Sequence, residues 1–284
     1  MKNLFTSLLI VSGFISYGQQ LEKSLLWEIS GKEITKPSYL FGTIHITCDA
    51  TLSPLVMKAL DDTEQLFLEV DMDDPGLQTK MMMGMMMKDG VTMSSLVNEE
   101  DFNVIDTFVK GKIGVSAKML DNMIPMAIST MFIPYLLECP MQSVESELLK
   151  VTKEQKEEVY GLELIADQIK LFNTVPYKEQ MEDLIKAIKG NLEEHKEEIS
   201  KMMELYKQQD IEAMLKISKE SDSFKNDEFE ELMLNDRNKK WIPVMEKAML
   251  EKSTFFGVGA GHLAGEQGVI NLLKKAGYMV KPIK

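Results

Sequence analysis

Apolar residues fall into two kinds of pattern along the chain, and together these predict its elements. Short alternating or continuous runs at 25–30 (LLWEIS) and 38–45 (SYLFGTIH) flank Gly31 and Pro37 and read as two strands joined by a loop, so the sheet is not purely parallel. Ser53-Pro54 opens a helix through Leu55, Val56, Ala59 and Leu60, with proline early in the helix where its missing N–H costs nothing. A third apolar strand at 66–70 delivers Glu69 and Asp71 at its exit. From 76 to about 156 the apolar spacing is three and four, which predicts helices. A short strand at 157–163 ends in Glu163, and a helix follows from 164. Residues 176–251 are strongly charged amphipathic helices without a glycine between Gly190 and Gly257. The chain closes with a strand at 253–262, a helix stopped by Gly277, and a last strand at 278–283.

The expected fold is therefore α/β: a mixed β-sheet built from both chain ends, with a large helical middle over about 76–250 acting as a cap. Strand, GxxH, helix and strand occur in that order twice, as a βαβ unit used at each end. Residues 1–18 read differently. Lys2, the apolar run 4–15 and Ser16-Tyr17-Gly18 have the order of an export signal cleaved near Gly18, which leaves 19–284 as one domain and predicts a secreted or periplasmic protein. That apolar run is shorter than the roughly 20 residues a membrane helix needs, and no later segment is long and uncharged enough.

With 284 residues, 44% of them hydrophobic, the chain can bury a sizeable core. Its formal charge of −13 argues against nucleic-acid partners, which require clustered cations. In an oxidising compartment Cys48 and Cys139 suit one disulfide, tying the loop after the first GxxH to the end of a later helix; two buried thiols are the other reading. The run 81–87 (MMMGMMM) is expected to be ordinary helix packing, although methionine surfaces also suit soft metals and apolar peptides.

Candidate chemistry concentrates at strand exits, where open α/β sheets place their ligands. His45 and His262 both lie there, each three residues after a glycine, Gly42 and Gly259, that lets the backbone turn or approach a bound cofactor or ligand. Glu69 and Glu163 end strands as well. Two imidazoles with one or two carboxylates suit a divalent metal, and the same groups suit metal-free chemistry with histidine as base. Arg237 and Asn238 fall in a helix with one apolar face, so Arg237 is either a site residue or a surface cation. His195, in a charged helix, reads as surface.

The ordered set SYLFGTIH, LFLEVD, GLE followed by Gln168, an RN helix and a closing VGAGHL resembles the TraB/GumN family, which includes the animal Tiki proteases. The resemblance runs from about Trp27 to Pro282. It implies a fold related to the erythromycin esterases, a doubled GxxH active-site mark, and a metallopeptidase of Mn, Co or Zn, with His45, His262 and Glu69 as metal ligands. Glu163, Arg237 and Asn238 join them as site residues. The expected function is a secreted, divalent-metal-dependent hydrolase acting on a peptide or protein substrate, with Arg237 stabilising the oxyanion. Competing expectations are a metal-independent esterase-like hydrolase, in which water attacks because no GxSxG elbow is present, and a non-catalytic peptide-, haem- or metal-binding protein.

Overall fold

A computed structural model describes residues 21–190, 192–220 and 230–284; the expected export signal lies outside the described residues. Six strands form one sheet: β1 (Leu26–Ser30), β2 (Ser38–Thr43), β3 (Gln65–Leu68), β4 (Glu158–Gly161), β5 (Phe255–Gly259) and β6 (Met279–Pro282). Their order is β4-β3-β5-β2-β1-β6, so strands from the two ends of the chain alternate in the middle of the sheet. β4, β3, β5 and β2 run parallel, and β1 is antiparallel to both its neighbours. This is a mixed α/β fold with a large helical region between β3 and β5.

The continuous apolar runs follow from burial on both faces of the parallel strands. Leu40, Leu66, Leu68, Phe255 and Phe256 are all enclosed, together with Trp27 of β1 and Trp241 of the helix Asp236–Glu251. A second cluster, centred on Met93, Ile105, Val109, Ile124, Ile128 and Met181, holds together the helices Met93–Leu96, Glu99–Ile113, Pro125–Thr130 and Tyr177–Lys189, whereas the helix Val144–Gln155 buries Val144 and Leu148 in the sheet core. The first helix starts as the sequence predicts: Ser53 caps it by accepting from the Val56 N–H, and Pro54 takes the first position. The last helix is shorter than its pattern suggests, Val269–Lys275, because Gly265 adopts a left-handed φ of +83° and turns the chain before it. Among the described residues no helix is long and apolar enough to cross a membrane.

The methionine run is helical only in its first part, within Leu77–Gly84, which packs on Ile165–Phe172 but buries none of its own residues, Met82 and Met83 being 60% and 73% exposed; beyond it Met87 is buried in the second cluster. Gly84 explains the break in the run: a Cβ there would stand 2.4 Å from Ile169 Cδ1, so glycine lets this helix lie directly against Ile165–Phe172.

Cys48 and Cys139 are joined, with their Cα atoms 5.6 Å apart. Around the bridge, Thr47 and Gln142 exchange backbone hydrogen bonds of 3.0 and 2.8 Å, the Gln142 amide donates to the Cys48 carbonyl, and the Val144 N–H donates to the Ile44 carbonyl. The loop carrying His45 is thereby stitched to the start of the helix Val144–Gln155. Removing a link that closes 91 residues is expected to cost about 4 kcal/mol. Urea unfolding of the Cys48→Ser/Cys139→Ser protein checks this; a midpoint equal to that of the oxidised wild type would show the bridge to be dispensable.

Candidate active site

The register of the parallel strands sets the site. Thr43 pairs with Gly259, Leu68 with Gly257, and Gly161 with Leu68, so the carboxyl ends of β4, β3, β5 and β2 form one ledge. Glu163, Glu69, His262 and His45 follow those ends, and they leave the sheet in that spatial order. Sequence separation hides this row, because β5 enters from the far end of the chain.

Arg237 binds the row together from the helix Asp236–Glu251. Its Nη2 donates to Glu69 Oε2 at 2.5 Å and to Glu163 Oε1 at 2.6 Å, and its Nε donates to Glu163 Oε1 at 2.9 Å. Nη1 donates to the Met233 carbonyl, in the π turn Glu231–Asn235 that opens this helix, and approaches His262 Nε2 at 3.1 Å. All five N–H donors of the guanidinium are thus engaged. The oxyanion role expected for Arg237 therefore gives way to another: it holds two carboxylates in place. Gln168 donates to both of the same carboxylates, at 3.2 Å to Glu69 and 2.9 Å to Glu163.

His262 is 4% exposed and fixed on three sides. Asn238 donates its amide N–H groups to the carbonyls of Gln267 and His262, which turns its Oδ1 toward the ring and makes Nδ1 the donor at 2.6 Å. Nε2 then carries the lone pair that meets Arg237, and Trp241 lies over the ring at 4.5 Å between centroids. Burial, with Arg237 and His45 nearby, holds the imidazole neutral and lowers its pKa to about 3 against the pull of Glu69.

Glu69 accepts the Gly259 N–H at 2.9 Å on Oε1, and this oxygen stands 3.6 Å from His262 Nε2. Burial alone would raise its pKa; His262 when protonated, Arg237, His45 and the Gly259 N–H overcome that and hold it at about 2. Because His262 is neutral at pH 7, Arg237 and the protonated His45 are the standing counter-charges. The two glycines play packing roles: a Cβ on Gly259 would come 3.2 Å from Glu69 Oε1, and Gly42, expected to lie against a cofactor or ligand, is closed in by Leu25, Leu263 and Ala260.

His45 is separate from this network in its bonding. Its Nδ1 stands 2.7 Å from Oε1 of Glu145, a carboxylate only 4% exposed, while the imidazole itself is 66% exposed. Sequence reasoning missed Glu145, which looks like an ordinary acid in the first turn of a helix. The 2.7 Å ion-pair contact with Glu145 raises the His45 pKa to about 9, against desolvation, with Glu69 adding to the rise and Arg237 opposing it. A cavity of about 370 Å³ has His45, Glu69, Glu145 and Gln168 among its lining residues. Glu163, Arg237, Asn238 and His262 stand outside that lining and support it. His195 lies elsewhere, beside Glu198 at 3.7 Å.

The expected metal ligands are arranged unevenly. Among the described residues no group of three or more His, Cys, Asp or Glu side chains is disposed to hold a metal ion. Two of the expected three, His262 Nε2 and Glu69 Oε1, stand 3.6 Å apart with Nδ1 oriented by Asn238, but Arg237 Nη1 occupies the Nε2 lone pair at 3.1 Å.

The model of the TraB/PrgY/gumN family matches residues 25–282, and the chain belongs to that family. No curated protein and no solved structure matches it.

The two histidines have opposite pH signatures. The raised pKa of His45 gives stability that is complete below its ordinary value of 6.5 and lost as pH rises through about 9. The lowered pKa of His262 makes the chain lose stability as pH falls from 6.5 toward 3, since the unfolded ring takes up the proton first. Histidine NMR titration is expected to show His45 with a midpoint well above 6.5 and His262 still neutral at pH 5. In Glu145→Gln the His45 midpoint should return to about 6.5; a midpoint unchanged by that substitution would remove Glu145 as the cause.

Proposed function

We propose that this TraB/PrgY/gumN-family chain is a hydrolase that cleaves a peptide in the cavity at the carboxyl ends of β2, β5, β3 and β4. The observation that carries this reading is the His45–Glu145 pair, a base oriented by a buried carboxylate, facing the same cavity as the anionic Glu69. Glu145 holds Nδ1, and in the neutral form of His45, which becomes the main one as pH rises through about 9, Nε2 takes a proton from the attacking water while Glu69 stabilises the imidazolium that forms, so cleavage is expected to rise with pH toward that value. The Arg237 lattice keeps Glu69 ionised and immobile behind it. His262, Asn238 and Glu163 position these groups rather than meeting the substrate. Family membership is consistent with hydrolysis in general.

A second reading adds a divalent metal, Mn, Co or Zn, at His262 Nε2 and Glu69 Oε1, which are 3.6 Å apart; such an ion would have to displace the Arg237 N–H from Nε2. His45, His262 and Glu69 would hold it, and it would supply a Lewis acid for the scissile carbonyl. The reading also includes a secreted or periplasmic location, which the order of residues 1–18 and the Cys48–Cys139 bridge support, since disulfides persist in oxidising compartments.

Peptide cleavage by purified protein, after chelation and after addition of Mn(II), Co(II) or Zn(II), is the test. His45→Ala and Glu69→Gln are expected to lower kcat by about 10²- to 10⁴-fold while the chain stays folded. Activity that survives chelation assigns the water-activating step to His45 alone; activity restored only by metal assigns it to the second reading. Tight peptide binding without cleavage under any condition would make the chain a binder and overturn the hydrolase.

A further inference from the structure

The methionine run has no buried residue in its helix, yet two of its members, Met81 and Met85, line the cavity that holds His45 and Glu69. Met72 and Met126 reach the same cavity from other parts of the chain, so four thioethers converge there, with Ile169 and Phe172 closing the wall. The polar groups among its lining residues are few: the site residues His45, Glu69, Glu145 and Gln168, and Thr130. A ligand that fills it is therefore apolar along its body and polar where it meets His45 and Glu69. Two of the lining residues, Met126 and Thr130, are shared with a second cavity of about 370 Å³ whose walls include Phe132, Tyr135, Leu184 and Ile188, with His195 and Glu198 adding polar atoms.

We propose that Met72, Met81, Met85 and Met126 form an adaptable subsite for an apolar side chain of the substrate, and that the second cavity receives a further apolar residue of the same extended peptide. This rests on the hydrolase reading and names its substrate class: peptides with apolar residues beside the bond cleaved. Methionine has three rotatable bonds and a polarisable sulfur, so a wall of four methionines remodels around leucine, methionine or phenylalanine alike. The pocket thus selects for apolarity rather than for one shape. Gly84 serves the same wall by letting the methionine helix close onto Ile169.

The test uses the full chain and peptides of equal length that differ at one position beside the scissile bond. Leucine, methionine and phenylalanine peptides are expected to have similar kcat/KM, at least about ten-fold above aspartate or lysine peptides. Met81→Glu places a charge in the wall at a position already 36% exposed, so the fold should survive, with thermal unfolding as the control. It should lower kcat/KM for the apolar peptides about ten-fold or more, and weaken their binding to the Glu69→Gln protein equally. Met83→Glu, on the 73% exposed residue outside the cavity lining, should change neither. Cleavage without apolar preference and unaffected by Met81→Glu overturns the subsite while the hydrolase stands. Apolar peptides that bind, lose affinity in Met81→Glu and are never cleaved uphold the subsite and overturn the hydrolase. Absence of any binding or cleavage of apolar peptides overturns both.

Discussion

The buried guanidinium of Arg237, shared between Glu69 and Glu163, is the interaction on which the site depends. Two carboxylates side by side on the ledge of a sheet would repel each other and resist burial. A planar cation with five fixed donors resolves this: it neutralises charge, accepts one geometry, and leaves no donor spare. The consequences spread through the network. Glu69 is ionised, Nε2 of His262 meets a donor instead of a proton, and Asn238 is drawn into line to hold the other ring nitrogen. Trp241, one helical turn beyond Arg237, lies 4.8 Å from the guanidinium carbon and covers both the cation and the imidazole.

This arrangement separates holding from reacting. The groups that hold are nearly closed to solvent and hydrogen-bonded to one another, whereas His45 is open to the cavity and paired with Glu145. That pair depends on the loop after β2 keeping its place on the helix Val144–Gln155, which the disulfide and the Thr47–Gln142 bridge provide. The proposed substrate subsite is a third part, made by Met72, Met81, Met85 and Met126 where they line the cavity. Two rigid parts and one adaptable part meet at a single cavity.

Much of the ledge was legible because strand exits in an α/β sheet are where such groups collect, and the sequence shows a histidine or glutamate at four of them. The sheet of both chain ends and its antiparallel member followed from the same runs. What stayed hidden depends on helix packing, which leaves weaker marks. Glu145 carries the signature of a helix-dipole partner, and only the Cys48–Cys139 pairing brings its neighbourhood beside His45. Arg237 was legible as a candidate but not in its role, since saturation of its donors is visible only when every partner is placed. Met81 and Met85 lie in a run whose composition suits a core helix, and only the absence of buried residues in Leu77–Gly84 turns it into a cavity wall.

The most direct test of the central interaction compares Arg237→Met with the triple variant Arg237→Met/Glu69→Gln/Glu163→Gln by denaturant unfolding and peptide cleavage. Removing the cation alone strands two carboxylates and is expected to cost about 3–5 kcal/mol, most of which the two neutralising substitutions should restore. Cleavage should be lost in both proteins, because the ionised Glu69 is absent or misplaced in each. A single variant as stable as wild type, or a triple variant that cleaves peptides at the wild-type rate, would contradict the account.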